Sequence, residues 1–261
     1  MKIKKTGLTG RSRSDKEWIC GINPVLEAIR AGRVIHRIYI STNRVDKITA
    51  IKEAAQVKNI PVCFSEPFFF DSTFKKGHQG VAAEAVPRDY ILLEDLLDIP
   101  LKKTEPAFFI ILDCIEDPRN FGAILRVADA AGVHGIVIQS HRSVTSGSDV
   151  SKVSAGAIEH VPVALVPNIK HAIHAMKNRG IMIIGAEADA MNTFWDINLA
   201  HSLALVIGSE GKGLRRTVGD LCDVLINIPM QGEINSLNVS VATGIVAFEI
   251  LRQRTQYSAK Y

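Results

Sequence analysis

Hydrophobic positions along the chain fall into two regimes that meet near residue 90. In the first, short apolar stretches alternate with polar ones. Gly21-Ile22-Asn23-Pro24 reads as a turn into a helix ending near Ala31, with Pro at an early position where its missing N–H costs nothing. Ile38 and Ile40 alternate within a strand Arg37–Ser41, and Ile48, Ile51, Ala54 and Ala55 recur at helical spacing over Val45–Lys58. Ile60–Phe64 reads as a strand, Glu66–Phe74 as a short aromatic-rich helix and Val81–Ala85 as a closing strand. Residues 18–88 are thus expected to form a small α/β domain. Across 89–105 an acidic helix, Leu92–Leu97, leads into a linker, Asp98–Thr104.

From residue 106 to about 256 the apolar runs become nearly continuous: Phe108–Ile115, Gly135–Gln139, Ile181–Ile184, Leu203–Ile207 and Val224–Ile228. Continuous runs are the mark of strands buried on both faces of a parallel sheet. Helical patterns lie between or after them, at Phe121–Ala131, Asn168–Asn178, Lys212–Val218 and Ser236–Arg254. The fold class expected is α/β, a helix-flanked and mostly parallel sheet.

Composition adds constraints. At 47% apolar and 22% charged, the chain resembles neither a disordered, a collagenous nor a coiled-coil sequence. No apolar run is long enough to cross a bilayer, and the basic start lacks the apolar stretch of a secretory signal. Cys20, Cys63, Cys114 and Cys222 are far apart with no metal-type pair, which suits a reducing cytoplasm. Of the histidines only His171 and His174 have a ligand-like spacing, on an ordinary amphipathic pattern, so no metal is expected. The net charge of +4 sits within residues 1–17, where Lys2, Lys4, Lys5, Arg11, Arg13 and Lys16 face only Asp15 and Glu17. A flexible basic arm of this kind serves either phosphate-backbone binding or solubility.

Ligands of open parallel sheets gather at loops after the strands' carboxyl ends. Three such loops stand out. Asp117-Pro118-Arg119-Asn120 opens a helix for which Asn120 is a suitable cap, and Arg126 lies on a different face from its apolar stripe. Arg126 reads either as a surface partner of Asp129 or Glu116, or as a guanidinium that grips phosphate or ribose. Gly208-Ser209-Glu210-Gly211-Lys212-Gly213 follows a buried strand; it is neither a dinucleotide nor a nucleoside-triphosphate loop, and Glu210 disfavours bound phosphate. Met230 to Ala242 joins a strand end to a helix expected to start at the Ser236 cap, with Asn238 and Ser240 as weak helix formers near its opening.

Together DPRNFGAILRVADAAGV, LVIGSEGKGL and IPMQGEINSLNVSVATGIVAFE resemble the three signature motifs of the SpoU family, RNA ribose 2′-O-methyltransferases of the SPOUT superfamily. Lys152–His160 is similar to the family's link between motifs one and two. Gly21–Ala28 and His78-Gln79-Gly80-Val81 resemble the substrate-binding domain of its RlmB group, whose members methylate a guanosine ribose in 23S rRNA. The resemblance implies a deep trefoil knot, an obligate homodimer, an RNA partner and S-adenosylmethionine as cofactor. It implies that Gly208, Ile228 and Leu237 meet the cofactor through backbone and that Met230 lines the adenine pocket. It places Arg126 beside the reacting hydroxyl, with Asn120 orienting it and Glu210, Ser236 and Asn238 completing the site. Since a guanidinium stays protonated, the role that fits Arg126 is polarising the hydroxyl and gripping a phosphate that takes the proton. The alternatives are a transfer-RNA substrate and a non-catalytic RNA-binding knot protein. A nicotinamide oxidoreductase lacks its glycine fingerprint here.

Overall fold

The computed structural model describes residues 16–44, 48–74, 77–141, 143, 148–233 and 236–258. Residues 1–15 of the expected basic arm lie outside them.

Four strands build the first sheet: β1 (Glu17–Cys20), β2 (Ile35–Ser41), β3 (Val62–Ser65) and β4 (Val81–Ala85), in the order β1-β4-β2-β3. Only β2 and β3 run parallel. Strand alternation divides the side chains. Ile19, Ile38, Ile40 and Ala83 meet α1 (Ile22–Arg30) and α2 (Thr49–Val57). Trp18, Cys20, Tyr39 and Ala82 meet the aromatic helix α3 (Pro67–Thr73) through Phe69 and Phe70. Strand β1 was not expected from the sequence, because its four residues adjoin the charged arm and carry little periodicity.

The expected linker is a correction. Following α4 (Leu93–Leu97), residues Ile99–Lys103 form a second short helix, α5, with Pro100 in its first turn and Thr104 in the left-handed region at its end. Leu96 and Leu97 are buried with Phe109, Ile111 and Val137, so this stretch packs on the second sheet instead of spanning a gap.

That second sheet has seven parallel strands: β5 (Phe108–Leu112), β6 (Gly135–Gln139), β7 (Val163–Val166), β8 (Met182–Ala186), β9 (Asn192–Thr193), β10 (Leu203–Ile207) and β11 (Val224–Asn227). Their order is β7-β6-β5-β10-β8-β11-β9. Phe108, Ile110 and Leu112 enter one core with α6 (Pro118–Ala130) and α10 (Val239–Ser258). Phe109 and Ile111 enter the other with α8 (Ile169–Lys177). Burial on both sides is why these runs lack alternation. Each such side chain contributes about 1.5–3 kcal/mol on leaving water. Strands β7 and β9 were missed: both are edge strands, and β9 is only two polar residues long. Among the remaining elements α7 (Ser148–Val153) and a 3-10 turn (Ala157–Glu159) follow β6, while α9 (Arg216–Gly219) precedes β11. No helix among the described residues is long and apolar enough to cross a membrane.

Candidate active site

The loop after β10 closes on itself. Ser209 N–H donates to Gly213 C=O and Gly213 N–H donates back to Ser209 C=O, each at 3.0 Å. A Cβ on Gly208 would lie 2.1 Å from the Gly213 carbonyl carbon, so any side chain there collides with backbone. The sequence suggested close approach to a ligand; the near neighbour is the loop's own return. Glu187, just past β8, braces it by accepting from Leu214 N–H. Sequence reasoning passed over Glu187. Its one signal was its place just after the apolar run Ile181–Ile184, where strand-end loops gather ligands.

The loops after β8, β10 and β11 and the start of α10 enclose a cleft of ≈ 360 Å³. Gly208, Ile228, Met230 and Leu237, the four residues expected at a cofactor, all line it. Glu210 and Ser236 line it too, and so do Glu187 and Asp189. Its floor is apolar, with Ile207, Ile226 and Val239, and its rim is acidic.

Beside it lies a larger cleft of ≈ 820 Å³, bordered by Glu116, Asp117, Asn120, Lys212 and Arg215. The two share Ser209, Glu210 and Gly213. Across this partition Asn238 Nδ2 donates to Glu210 Oε1 at 2.7 Å and to Asn120 Oδ1 at 3.0 Å. Asn238 Oδ1 accepts from Ser240 N–H at 3.0 Å, which makes Asn238, not Ser236, the cap of α10. Likewise Asp117 caps α6 through Arg119 N–H, and the 8%-exposed Asn120 sits inside the first turn. Both corrections have one cause. The two Asn residues are joined to each other, which holds Asn120 inside α6 behind the Asp117 cap and sets Asn238 just ahead of α10 as its cap. The Arg119 hydrogen bonds hold the Asp117 carboxyl below its ordinary range.

A second brace was also missed. Asp113, buried at the end of β5, accepts from Arg215 N–H at 2.9 Å and Arg215 Nε at 2.6 Å, while Arg215 Nη2 donates to Gln139 at 2.9 Å. This ties the loop after β10 to the ends of β5 and β6.

Arg126 stands apart. It is exposed on α6, with no hydrogen bond or ion pair among the described residues; neither Asp129 nor Glu116 takes it. Six residues of helix carry it about 9 Å along the axis from Asn120 and roughly 120° around it. The neighbouring α10 leaves Val241, Ile245 and Phe248 at 50%, 37% and 48% exposure. Among the described residues no group of His, Cys, Asp and Glu could hold a metal ion.

This arrangement has relatives. The SpoU rRNA Methylase family matches residues 107–248, and the RNA 2′-O ribose methyltransferase substrate-binding family matches residues 18–91. The chain belongs to the SpoU family. Bacillus subtilis (strain 168) YacO, named as a TrmH family tRNA/rRNA methyltransferase, is 41% identical over 239 residues, 91% of this chain and 96% of its own length. A Staphylococcus epidermidis protein named for the same family is 40% identical, over 93% of this chain and 98% of its own. In fold, this SpoU chain is similar to the SpoU methyltransferase AviRb of Streptomyces viridochromogenes solved with AdoMet, at TM-score 0.80 and 22% identity over 96% of this chain and 95% of that one. Within this SpoU chain, then, all three motif loops converge at the two clefts; Asn238 lines neither but bonds a lining residue of each, and Arg126 lies outside them.

Proposed function

We propose that this SpoU-family chain transfers a methyl group from S-adenosylmethionine to a ribose 2′-hydroxyl of RNA. The observation that carries the reading is the Asn120–Asn238–Glu210 chain standing between two clefts, one suited to a donor and one to an acceptor. The residues fit the donor. The smaller cleft lies within the common range for small-molecule sites, about 300–1,000 Å³. It offers apolar Ile228, Met230 and Leu237 to an adenine ring and carboxylates of Glu187, Asp189 and Glu210 to a cationic ligand. When bound, the cofactor supplies a methyl already activated by its positive sulfur.

The protein's task is then to align the sugar and manage one proton. Glu210 and Asn120, locked by Asn238, present fixed acceptor and amide groups at the partition, where the 2′-hydroxyl would lie. Ser236 at the cleft edge adds a hydroxyl. Arg126 polarises the hydroxyl and grips the adjoining phosphate, which accepts the proton. Because Arg126 is remote from Asn120 on its own helix, it acts on the site of a second copy. The exposed apolar row Val241, Ile245 and Phe248 supports such a homodimer. A trefoil crossing is supported by α10: it follows β11, yet packs on α6, which follows β5 three strands away.

The substrate proposed is a guanosine of 23S rRNA, with residues 18–88 presenting the RNA; similarity of Gly21–Ala28 and His78–Val81 to the RlmB group supports it. Transfer RNA is the alternative. Radiolabelled methyl transfer to 23S rRNA and to bulk tRNA, followed by alkaline hydrolysis, tests both. A 2′-O-methyl group blocks cleavage at its own linkage, so label is expected in alkali-resistant dinucleotides from 23S rRNA. Label on bases, or none in either RNA, refutes the reading.

A further inference from the structure

Three sequence stretches meet in space: Gly21–Ala28, His78–Val81 and the segment after β6. Gln79 Oε1 accepts from Ile22 N–H at 3.0 Å, joining the first two at the start of α1. Pro24 and Glu27 of α1 then press on Gly156, where a Cβ would come within 2.6 Å of Glu27 Cβ and the φ is +95°. His160 Nε2 and Glu27 Oε2 are 2.9 Å apart. Burial pushes the Glu27 carboxyl up, but hydrogen bonds from His160 and Arg30 outweigh it and leave it below its ordinary range.

Next to His160, the Glu159 side chain is only 3% exposed. Its carboxylate takes Arg33 Nη1 at 3.0 and 3.2 Å and Arg88 Nη1 at 3.4 Å. Arg33 also bonds Glu17 and, at 2.9 Å, Val86 C=O, while Arg88 Nη2 reaches Val161 C=O at 3.4 Å. Glu17 accepts from Arg88 N–H at 3.1 Å. Two guanidiniums and two carboxylates thus close the junction between the two sheets' domains. On its other side the same segment abuts α6, where a Cβ on Gly122 would lie 2.7 Å from Val153 Cβ and 3.0 Å from Ser154 N. Gly122 lies between Asn120 and Arg126.

We infer that residues 148–160 register the substrate-binding domain against the helix carrying Asn120 and Arg126, and that Glu159 is a positioning residue for the RNA. Domains joined by a modest interface move relative to one another by default. A buried ion cluster adds little net stability but penalises every orientation that leaves its charges unpaired. Removing the Glu159 carboxylate takes one of Arg33's two carboxylate partners and the one that Arg88's guanidinium bonds, and both cations gain hydration if the domains part. RNA held by the first domain then loses its fixed bearing on the acceptor cleft. This rests on the RNA methyltransferase reading above.

The test compares full-length wild type with Glu159→Gln, Arg33→Met, their combination, and Glu159→Asp. Small-angle scattering is expected to show a larger radius of gyration for the first three. KM for RNA is expected to rise at least tenfold, with kcat at saturating RNA and calorimetric affinity for S-adenosylmethionine each within twofold of wild type. The double variant is expected to be no worse than either single one, since both break one cluster. Glu159→Asp, which keeps the charge, should recover part of the loss. Unchanged scattering in Glu159→Gln, parted domains with unchanged KM, or cofactor affinity falling alongside turnover each overturns the inference. Should wild type methylate no RNA, the methyltransferase reading fails separately, and scattering alone decides whether Glu159 holds the domains.

Discussion

Asn238 and Asn120 lie 118 residues apart in sequence and are joined by a 3.0 Å hydrogen bond from Nδ2 to Oδ1. Asn238 spends its second amide hydrogen on Glu210 and its oxygen on Ser240, so its whole polar capacity is committed and the amide has one orientation. Asn238→Ala removes a helix cap, worth about 1 kcal/mol, and frees both cleft residues at once. Thermal stability is expected to fall by only a few degrees while kcat falls at least a hundredfold. Melting curves beside single-turnover methyl transfer check this; a loss of turnover no larger than the loss of stability argues against the amide as an organiser.

Gly208 has a different constraint. Its φ is not in the left-handed region, so an alanine meets no backbone strain; the obstacle is the Gly213 carbonyl group. Gly208→Ala must open the Ser209–Gly213 loop, disturbing both clefts. Cofactor affinity is expected to drop at least tenfold by calorimetry. Gly211→Ala is the control: nothing lies within 4 Å of its added carbon, though its φ of +75° makes some strain unavoidable. A larger effect at 211 than at 208 would place the constraint in local strain instead of in the close loop contact.

Much of the fold was legible because burial leaves a signature. Continuous runs such as Phe108–Leu112 marked strands covered on both faces, and the placement of motif loops after strand ends followed. What was not legible depended on partners distant in sequence. Asn120 and Asn238 each looked like a local capping or helix-opening residue, and neither betrayed the other. Asp113, Glu187 and Arg215 carry no motif, yet they hold the loop after β10 in place. The Asp98–Thr104 stretch has a linker's composition, and only the burial of Leu96 and Leu97 on the sheet shows why it folds. Arg126 was recognisable by resemblance, but its exposure and lack of a partner emerge only in three dimensions.

That exposure leads to a complementation experiment. If Arg126 serves the site of a second copy, Arg126→Ala and Asn120→Ala each abolish turnover when alone, because every site lacks one group. Mixed and re-equilibrated, they form heterodimers in which one site has both residues intact. Activity is expected to return to about a quarter of wild type for random pairing, as half the dimers carry one good site of two. No recovery in a mixture that exchanges subunits, followed by native mass spectrometry, would assign Arg126 to its own chain's site. Phe248→Glu on the exposed row of α10 should shift the protein toward monomer in sedimentation and lower turnover with it.

His134 supplies the pH test. Its ring is buried, Nδ1 accepts from Phe108 N–H at 3.1 Å and Nε2 lies 2.9 Å from Glu105. This is the neutral ring protonated on Nε2, since a second proton on Nδ1 would displace the Phe108 bond. Burial lowers the His134 pKa from 6.5, and the Glu105 contact only partly opposes it. Between the folded and ordinary values the unfolded chain binds more protons, so this contribution to stability is complete above pH 6.5 and declines as pH falls below it. His134→Asn keeps a side-chain acceptor but cannot titrate. On moving from pH 7.5 to pH 5.5, wild type is expected to lose more melting temperature than His134→Asn, with the two profiles parallel above pH 7. Parallel profiles throughout, or a steeper fall in the variant, would mean that the imidazole is protonated in the folded protein and that Phe108 N–H has another acceptor.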